Sequence, residues 1–372
     1  MKICIDLTSL ADNFSGIERF AACISYEMIN QSDDNYILIF KDAIHPMFGD
    51  VVKKNNIESI ILPRCKKLLF NQGRLPWAIH KINADIYLFM AFPVPILSFK
   101  KRMISTIHDI CCWDCPETMN GMSKWYFRIS HKVALKKCKA IITISQFSKK
   151  RIIEKLKYPA EKIWLIYCGI DNKFEPVTDT TYIASIRKKY SLPDEYILSL
   201  STLEPRKNIR LLIDVYRSLI LSGDCKTDLV LAGRKGWKMD ELMSGIEPKV
   251  QNKIVFTGFV DDKDLPGVYS AAKWFVFPSM YEGFGIPPLE AMACGVPVIS
   301  SDAASLPEVL GGAGLIFQSN NEKALKQSIL QAQELSKEDL KAQIIAGEAS
   351  VQKFRWRKEA KKLLELLHRG RL

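Results

Sequence analysis

The stretch Trp274-Phe-Val-Phe-Pro-Ser-Met-Tyr-Glu-Gly-Phe-Gly-Ile-Pro-Pro-Leu-Glu-Ala-Met-Ala-Cys-Gly-Val-Pro-Val-Ile-Ser-Ser301 decides the fold of this chain. It opens with a short apolar run stopped by a proline, which is typical of a strand buried on both faces. A glycine-rich turn follows, and Pro287 with Pro288 suits the first turn of a helix, where a missing N–H costs little. Gly295 predicts the end of that helix, and residues 296–299 predict the next buried strand. The stretch is therefore a strand–loop–helix–strand unit of a parallel α/β sheet.

Two carboxylates flank the predicted helix start. Glu282 lies on the loop and Glu290 lies eight positions later, so we expect both to face one crevice at the carboxyl ends of the strands. The free N–H groups of a helix start carry a partial positive charge, which suits an anionic ligand. Two simpler interpretations stay open, in which Glu290 only complements the helix dipole from the first turn and Glu282 is solvated.

The whole string resembles the signature of retaining glycosyltransferases of the GT-B type, family 4 (group 1), and within it the bacterial mannosyltransferases of polysaccharide and O-antigen assembly. Their fold is α/β, with two Rossmann-like parallel-sheet domains facing each other across a cleft. In that family two glutamates with seven residues between them close the donor site, and Glu282 and Glu290 match them. The resemblance implies that Glu282 holds the sugar and that Glu290 binds the ribose. It also implies donor contacts from Gly283, Phe284, Gly285 and Ile286.

Composition indicates a soluble globular protein large enough for two domains, with 372 residues, 48% of them hydrophobic and 25% charged. There is no apolar run of about 18 residues, and the strand-like start lacks the features of a signal peptide, so we expect a cytoplasmic protein. The ten cysteines lack a regular spacing, which favours reduced thiols. The cluster Cys111, Cys112 and Cys115 lacks a partner at zinc-finger spacing, and we expect no metal site there.

The first half of the chain carries most of the net charge of +12. Residues 1–172 contain 25 Lys and Arg against 16 Asp and Glu. Such a surface suits nucleic acid, an anionic membrane, or solubility alone. Because zinc-finger spacing and an aromatic RNA-binding motif are both missing from the sequence, we expect no nucleic-acid partner.

Two segments of this half mix cations with large apolar residues, at Arg64–Phe70 and Arg74–Trp77. The run Lys100-Lys101-Arg102 and the helical stretch 124–139 add positive charge. Rings in the headgroup zone and cations on anionic lipid are what an interfacial segment needs. We therefore predict peripheral binding to the cytoplasmic face of the inner membrane; an ordinary helix with one core face and one solvated face is the alternative.

Three polar sites follow the predicted strands of the first half. The loop ending in Phe14-Ser15-Gly16 precedes a helix. It lacks the full G-x-G-x-x-G pattern, so we expect no nicotinamide cofactor. It resembles the family loop that covers the donor phosphates, and this resemblance implies a donor contact from Gly16. Arg19 is a weaker acceptor-side candidate, since an arginine in a first turn usually faces solvent. His108 and Asp109 end another strand and resemble the family His-Asp segment, in which the histidine contacts the transferred sugar; a polar pair that caps the strand end is the alternative.

In the second half, the loop Glu-Pro-Arg-Lys-Asn places Arg206 and Lys207 at a strand-to-helix junction. Two adjacent cations there suit a diphosphate, the arginine by its fork and the lysine as a point charge, although a surface pair would look the same. The loop is similar to the phosphate loop of mannosyl- and rhamnosyl-type members of the family. The segment around Val260 resembles the part that holds the nucleotide base. Asp262-Lys263-Asp264 has the spacing of a metal-binding Asp-x-Asp, which the two-Rossmann fold does not need.

These patterns predict an acceptor-binding domain at 1–172, completed by a returning helix at 354–372, and a nucleotide-sugar-binding domain at 173–353. The expected catalytic residues are Glu282, Arg206, Lys207 and His108. The expected reaction is transfer of mannose from GDP-mannose to a lipid-linked saccharide, without metal or cofactor. A UDP- or dTDP-sugar donor, a sugar-nucleotide epimerase and a catalytically silent binding subunit stay open as alternatives.

Overall fold

The computed structural model describes residues 1–11, 16–98, 100, 102–234 and 242–369. The predicted loop residues Phe14 and Ser15, and Lys101 of the basic run, lie outside the described residues. The chain divides into two compact units: unit 1 is Met1–Gly169 with Phe354–Leu372, and unit 2 is Ile170–Lys353. Each unit contains one parallel sheet with helices, which confirms the predicted fold class of two parallel-sheet α/β domains. Their assignment to acceptor and donor stays a prediction.

Unit 1 is built on a seven-stranded sheet. Its strands are β1 (Lys2–Asp6), β2 (Asn35–Lys41), β3 (Ile57–Leu62), β4 (Ile86–Phe89), β5 (Met103–Thr106), β6 (Ala140–Thr143) and β7 (Ile163–Leu165). All neighbours pair in parallel in the order β3-β2-β1-β4-β5-β6-β7. The inner strands β4, β5 and β6 are buried throughout, as expected for a parallel sheet with helices on both faces. The strand order reverses between β1 and β4, which is where such sheets open a crevice for a ligand.

The helices of unit 1 link these strands. They are α1 (Gly16–Gln31), α2 (Lys67–Leu69), α3 (Leu75–Lys81), α4 (Cys111–Asp114), α5 (Gly121–Lys137), α6 (Gln146–Leu156) and α15 (Trp356–His368), with a π-helical turn at Phe70–Arg74 and 3₁₀ turns at Pro46–Phe48, Val51–Lys53, Pro116–Thr118 and Ala160–Lys162. Residues of α3, α5 and α6 share one core cluster with the sheet. These three helices therefore cover the same face of the sheet.

The helix α15 returns to unit 1 and packs against α1. The ring of Trp356 lies 6.2 Å from that of Phe20. The buried carboxylate of Glu359 accepts a hydrogen bond of 3.0 Å from the backbone N–H of Tyr167. The approach is closest at Gly169, where an added Cβ would lie 2.3 Å from the backbone nitrogen of Trp356. A glycine is thus required where the last helix meets the end of the first chain segment.

Unit 2 is built on a six-stranded parallel sheet. Its strands are β8 (Tyr196–Leu200), β9 (Asp228–Ala232), β10 (Ile254–Gly258), β11 (Trp274–Phe277), β12 (Val298–Ser301) and β13 (Leu315–Phe317). The order is β10-β9-β8-β11-β12-β13, with the reversal between β8 and β11. The strand predicted at 296–299 begins two residues later, because Pro297 has no N–H to give to the ladder and contributes only its carbonyl, to the N–H of Phe275.

The described helices of unit 2 cover this sheet. They are α7 (Thr180–Tyr190), α8 (Ile209–Ser222), α9 (Pro248–Gln251), α10 (Leu265–Ser270), α11 (Ile286–Ala293), α12 (Leu306–Leu310), α13 (Glu322–Glu334) and α14 (Lys337–Val351), with a 3₁₀ turn at Pro205–Lys207. Among the described residues of both units, no helix is at once long enough and apolar enough to cross a membrane.

Candidate functional site

A buried carboxylate joins the two cations that the sequence singled out. Glu282 follows β11, and the turn bearing Arg206 and Lys207 follows the neighbouring strand β8, at the strand reversal of unit 2. Lys207 Nζ lies 2.6 Å from Glu282 Oε1, and Arg206 Nη1 lies 3.2 Å from Oε2. The hydroxyl of Ser279 donates to Oε1 over 2.6 Å. Three predicted residues therefore form one charged cluster.

The electrostatic balance of this cluster favours an anion. Burial alone would raise the pKa of Glu282, but the charges of Lys207 and Arg206, with the hydrogen bonds from Lys207 and Ser279, hold that pKa below its usual value. The carboxylate is therefore ionised at neutral pH and offsets one of the two cations. Burial lowers the pKa of Lys207, and the charge of Glu282 opposes that change. The cluster lies at the carboxyl edge of the sheet, just before α11 in the chain. Such a combination can stabilise negative charge on a phosphate.

Serine hydroxyls, which the sequence reading did not single out, hold the loop in place. Ser305 Oγ contacts two carbonyls of the loop, that of Glu282 at 2.9 Å and that of Phe284 at 2.7 Å. Ser301 donates to the carbonyl of Ser279 over 2.5 Å. All three serines are buried. In the sequence these serines are small hydroxyl residues at or just beyond strand ends. That pattern is too common to identify a site.

The remaining loop residues begin the helix. Gly283 and the buried Phe284 lead into Gly285, whose φ of +111° is strained for any residue with a Cβ. A Cβ there would also lie 2.7 Å from Leu306 Cδ2. Ile286 is the first residue of α11. The glycine thus turns the chain so that the first N–H groups of α11 follow directly after Glu282.

The position of Glu290 corrects one interpretation. It is the fifth residue of α11 and so lies in the second turn, because the helix begins only at Ile286. The helix dipole acts mainly within the first turn, which makes the simple dipole interpretation wrong. Glu290 is buried, and its Oε2 accepts a 2.9 Å hydrogen bond from the hydroxyl of Tyr269. Tyr269, on α10, is a further residue that the sequence reading missed.

The predicted base-contacting residue and the Asp-x-Asp segment follow β10. Val260 is buried just after Gly258, whose φ is +69°. Asp262 forms an ion pair with Lys173, and Asp264 lies 2.6 Å from Lys189 Nζ. These two carboxylates are therefore engaged by cations of unit 2. Within the part of the chain that the structure describes, no group of three potential metal ligands occurs.

His108 is the buried histidine that follows β5 in unit 1. Its Nε2 lies 3.0 Å from the carbonyl oxygen of Met90, and its ring meets that of Phe20 edge-on at 5.2 Å. Burial lowers the pKa of His108 to about 4, so the ring is neutral at physiological pH. The neighbouring Asp109 accepts a 2.8 Å hydrogen bond from the N–H of Cys111. This local bond is made to the first residue of α4, the helix that follows the strand.

The other two candidates of unit 1 lie at the start of α1. Gly16 is its exposed first residue, and residues 12–15 before it are outside the described range. Arg19 is buried, so the expectation that it faces solvent is wrong. The reason is that α15 packs against α1 and covers even its first turns. The structure thus describes all four candidate residues of unit 1. In unit 2 it brings three candidates, Glu282, Arg206 and Lys207, into one cluster.

Acidification tests the buried histidines of unit 1. Burial lowers the pKa of His131, as of His108, to about 4, while an unfolded histidine titrates near 6.5. Between these values only the unfolded state takes up the proton, so stability is lost as the pH falls. We expect each histidine to contribute a loss of about 2 kcal/mol between pH 7 and pH 5.

The measurement is urea unfolding of the wild type and of His131→Gln at both pH values. The variant should lose about 2 kcal/mol less than the wild type on acidification. The matched control is His80→Gln, since His80 is exposed and should leave the pH dependence as it is. An equal loss in His131→Gln and the wild type would show that His131 is not a buried neutral base.

Comparison with known proteins adds a second line of observation. The family model for glycosyl transferases group 1 matches residues 183–350, and that for glycosyltransferase family 4 matches residues 14–174. The chain is 37% identical over 265 residues to O-antigen chain mannosyltransferase B of Escherichia coli, covering 71% of this chain and 69% of that protein. It is 28% identical over 385 residues to the serotype-specific mannosyltransferase WbdA of Escherichia coli, covering 94% of this chain but 46% of that protein. This chain therefore spans less than half of that larger relative.

Among solved structures, sucrose-phosphate synthase from Thermosynechococcus elongatus is similar with a TM-score of 0.77 and 19% identity. The match covers 99% of this chain and 98% of that one. At this identity the similarity concerns the fold alone.

Proposed function

Because this chain belongs to the group 1 glycosyl transferases, as the stretch 274–301 predicted, and is a glycosyltransferase, we propose that it moves mannose from GDP-mannose to a lipid-linked saccharide. Transfer proceeds with retention at the anomeric carbon and serves the assembly of a cell-surface polysaccharide such as an O-antigen. The names of the relatives that match over most of this chain support both the sugar and the pathway class. The Glu-Pro-Arg-Lys-Asn loop supports the same donor.

The cluster of Glu282, Arg206 and Lys207 is the observation that carries the proposal. Transfer from a nucleotide sugar leaves a nucleoside diphosphate, on which negative charge grows as the glycosidic bond breaks. Catalysis requires positive groups that are already in place where this charge develops. The two cations of the cluster and the first N–H groups of α11 meet that need from the protein itself. We propose that the reaction requires no metal.

Within the cluster, Glu282 has two roles in this proposal. Its carboxylate fixes the heads of Arg206 and Lys207 in the apo site, so little rearrangement is needed when the diphosphate arrives. With the donor bound, it accepts a hydrogen bond from a sugar hydroxyl. Glu290, held by Tyr269, takes the ribose, and Val260 lies by the base. For unit 1 we propose that the neutral His108 contacts the transferred sugar.

The acceptor is proposed to be attached to a lipid, and the protein to act at the cytoplasmic face of the membrane. The basic, partly apolar segments of unit 1 support this location. A glycosyltransferase that meets its acceptor at a surface gains from binding that surface, because both reactants are then confined to one plane.

Thermal melting with nucleotides tests the donor. We expect GDP to raise the melting temperature more than UDP, dTDP or ADP, because a ligand that binds only the native state stabilises it, by about 2.7 kcal/mol at a hundredfold excess over Kd. The shift should persist in EDTA. A shift with UDP or dTDP but not GDP would reject GDP-mannose, and a GDP shift that needs magnesium would reject the metal-free mechanism. If no nucleotide shifts the melting temperature, the proposal that unit 2 binds a nucleotide-sugar donor is rejected.

A further inference from the structure

Large apolar side chains that face solvent are concentrated in three segments of unit 1, at residues 64–84, 92–102 and 120–139. Met122 is 83% exposed, Leu68 72%, and Trp77 and Trp125 62% each. Among the described residues, every large apolar side chain that is more than three-fifths exposed lies in these segments. The exposed large apolar side chains of the three segments are Leu68, Leu69, Trp77, Phe92, Leu97, Met122, Trp125 and Ile129. Exposing two tryptophan side chains to water to this extent is unfavourable, so these side chains require a binding partner that covers them.

The three segments are connected through the loop after β4. Gln72, between α2 and α3, accepts a 2.9 Å hydrogen bond from the N–H of Ile96 in that loop. Lys137, at the end of α5, donates to the carbonyl of Ser98 over 3.0 Å. The ring of Phe92 lies 6.5 Å from that of Phe127 on α5. Since α3 and α5 also cover the same sheet face, the exposed residues belong to one surface, which we call the basic apolar surface.

The three segments that form this surface contain only positively charged side chains, apart from uncharged residues and histidine. The segments 64–84, 92–102 and 120–139 contain fourteen of the 25 Lys and Arg of residues 1–172 and none of its 16 Asp and Glu. Cations lie beside the exposed rings: Lys81 Nζ is 3.5 Å from the centre of the Trp77 ring, and the Arg128 guanidinium is 5.9 Å from that of Trp125. The surface therefore pairs interfacial rings with positive charge.

Helix α5 has this pattern along one stripe. Met122, Trp125 and Ile129 are exposed at helical spacing, and Lys132 and Lys136 continue the same stripe. The opposite side carries the buried Ser130, His131 and Ala134. The helix therefore has a core face and, away from it, an apolar and basic face.

We propose that the basic apolar surface docks on a lipid bilayer that contains anionic lipid, with Trp77 and Trp125 as the anchors in the headgroup zone. This deepens the proposed function and rests on it only for the lipid-linked acceptor. Tryptophan side chains favour the membrane interface, and each Lys or Arg near an anionic leaflet adds to the attraction.

Charge complementarity argues for the bilayer and against a second copy of this chain. Two such surfaces brought face to face would bring together segments whose sequences contain cations and no carboxylate. Like charges across an interface are unfavourable. An anionic bilayer offers both the opposite charge and an apolar layer for the rings.

The test is sedimentation of the full chain with vesicles of phosphatidylcholine, with and without phosphatidylglycerol, in the absence of nucleotide and acceptor. We expect binding to be at least about tenfold tighter with the anionic lipid. Trp77→Ser/Trp125→Ser should weaken binding to anionic vesicles about tenfold or more, because both rings leave the interface. Lys132→Gln/Lys136→Gln should lower the preference for anionic lipid. The matched control is Leu221→Ser/Ile345→Ser, which removes two exposed apolar side chains of unit 2 and should bind like the wild type.

Folding of each variant is checked by its urea unfolding curve, which requires no nucleotide and reports on both units. Equal binding by the tryptophan variant and the wild type would overturn the proposal, as would a wild type that ignores anionic lipid. Sedimentation velocity completes the test: a wild type that self-associates and a tryptophan variant that does not would assign the surface to a second copy instead. Since vesicle binding is measured without donor, it can fail or succeed independently of the GDP result.

Discussion

Glu282→Ala is expected to lower kcat/KM for glycosyl transfer by about 10³-fold or more, because the groups that meet the departing diphosphate lose the carboxylate that fixes them. The same change should reduce the free energy of unfolding by about 3 kcal/mol, since it leaves Lys207, whose side chain is only 12% exposed, without its counter-charge. Steady-state kinetics with the donor chosen by thermal melting, and urea unfolding, measure the two effects.

A double variant separates catalysis from stability. Glu282→Gln/Lys207→Gln removes both charges and should recover part of the lost stability while transfer stays low. The matched control is Glu247→Ala in the same unit. It breaks an exposed ion pair with Arg217, so the free energy of unfolding and kcat/KM should both stay close to those of the wild type. Near-normal transfer by Glu282→Ala or by the double variant would show that the cluster is a structural ion pair and not the site.

Gly169→Ala is expected to have the largest effect on the stability of unit 1. The new Cβ would lie 2.3 Å from the backbone nitrogen of Trp356 and 2.7 Å from its ring, so α15 must move away. That displacement disturbs the packing of Trp356 on Phe20 and the hydrogen bond from Tyr167 to Glu359. We expect a loss of about 3 kcal/mol or more in the free energy of unfolding, measured by urea unfolding.

Gly121→Ala is the matched control in the same unit. Gly121 is the first residue of α5, and a Cβ there would meet no atom within 4 Å. Alanine should therefore be neutral or stabilise by up to about 1 kcal/mol. If Gly169→Ala were as mild as this control, the contact between the end of the first segment and α15 would be looser than the structure describes.

The fold could be predicted from sequence because its signals are local. The unit β11–α11–β12 follows from short apolar runs, two prolines and a glycine turn, all within the stretch 274–301. Glu282, Arg206 and Lys207 could each be named for the same reason. Their ion pairing could not, since it joins residues 75 and 76 positions apart and depends on β8 lying next to β11.

Burial caused the other departures from expectation. Arg19 has the sequence position of a solvated residue but is covered because a helix more than 300 residues later packs on α1. The hydrogen bond from Tyr269 to Glu290, and the low pKa of His108, also depend on neighbours from distant segments. Mixed cations and rings at 64–77 predicted an interfacial segment, whereas the connection of three such segments into one surface required tertiary structure.

The return of α15 to unit 1 has a consequence for synthesis on the ribosome. Unit 2 is inserted between two pieces of unit 1, so all of its residues leave the ribosome before α15 does. Unit 2 can therefore fold while the nascent chain is still growing, whereas unit 1 waits with the α15-facing side of α1, including Phe20, uncovered. During that interval the uncovered side of α1 exposes the kind of apolar surface that chaperones bind, and the packing of α15 on α1 then completes the core.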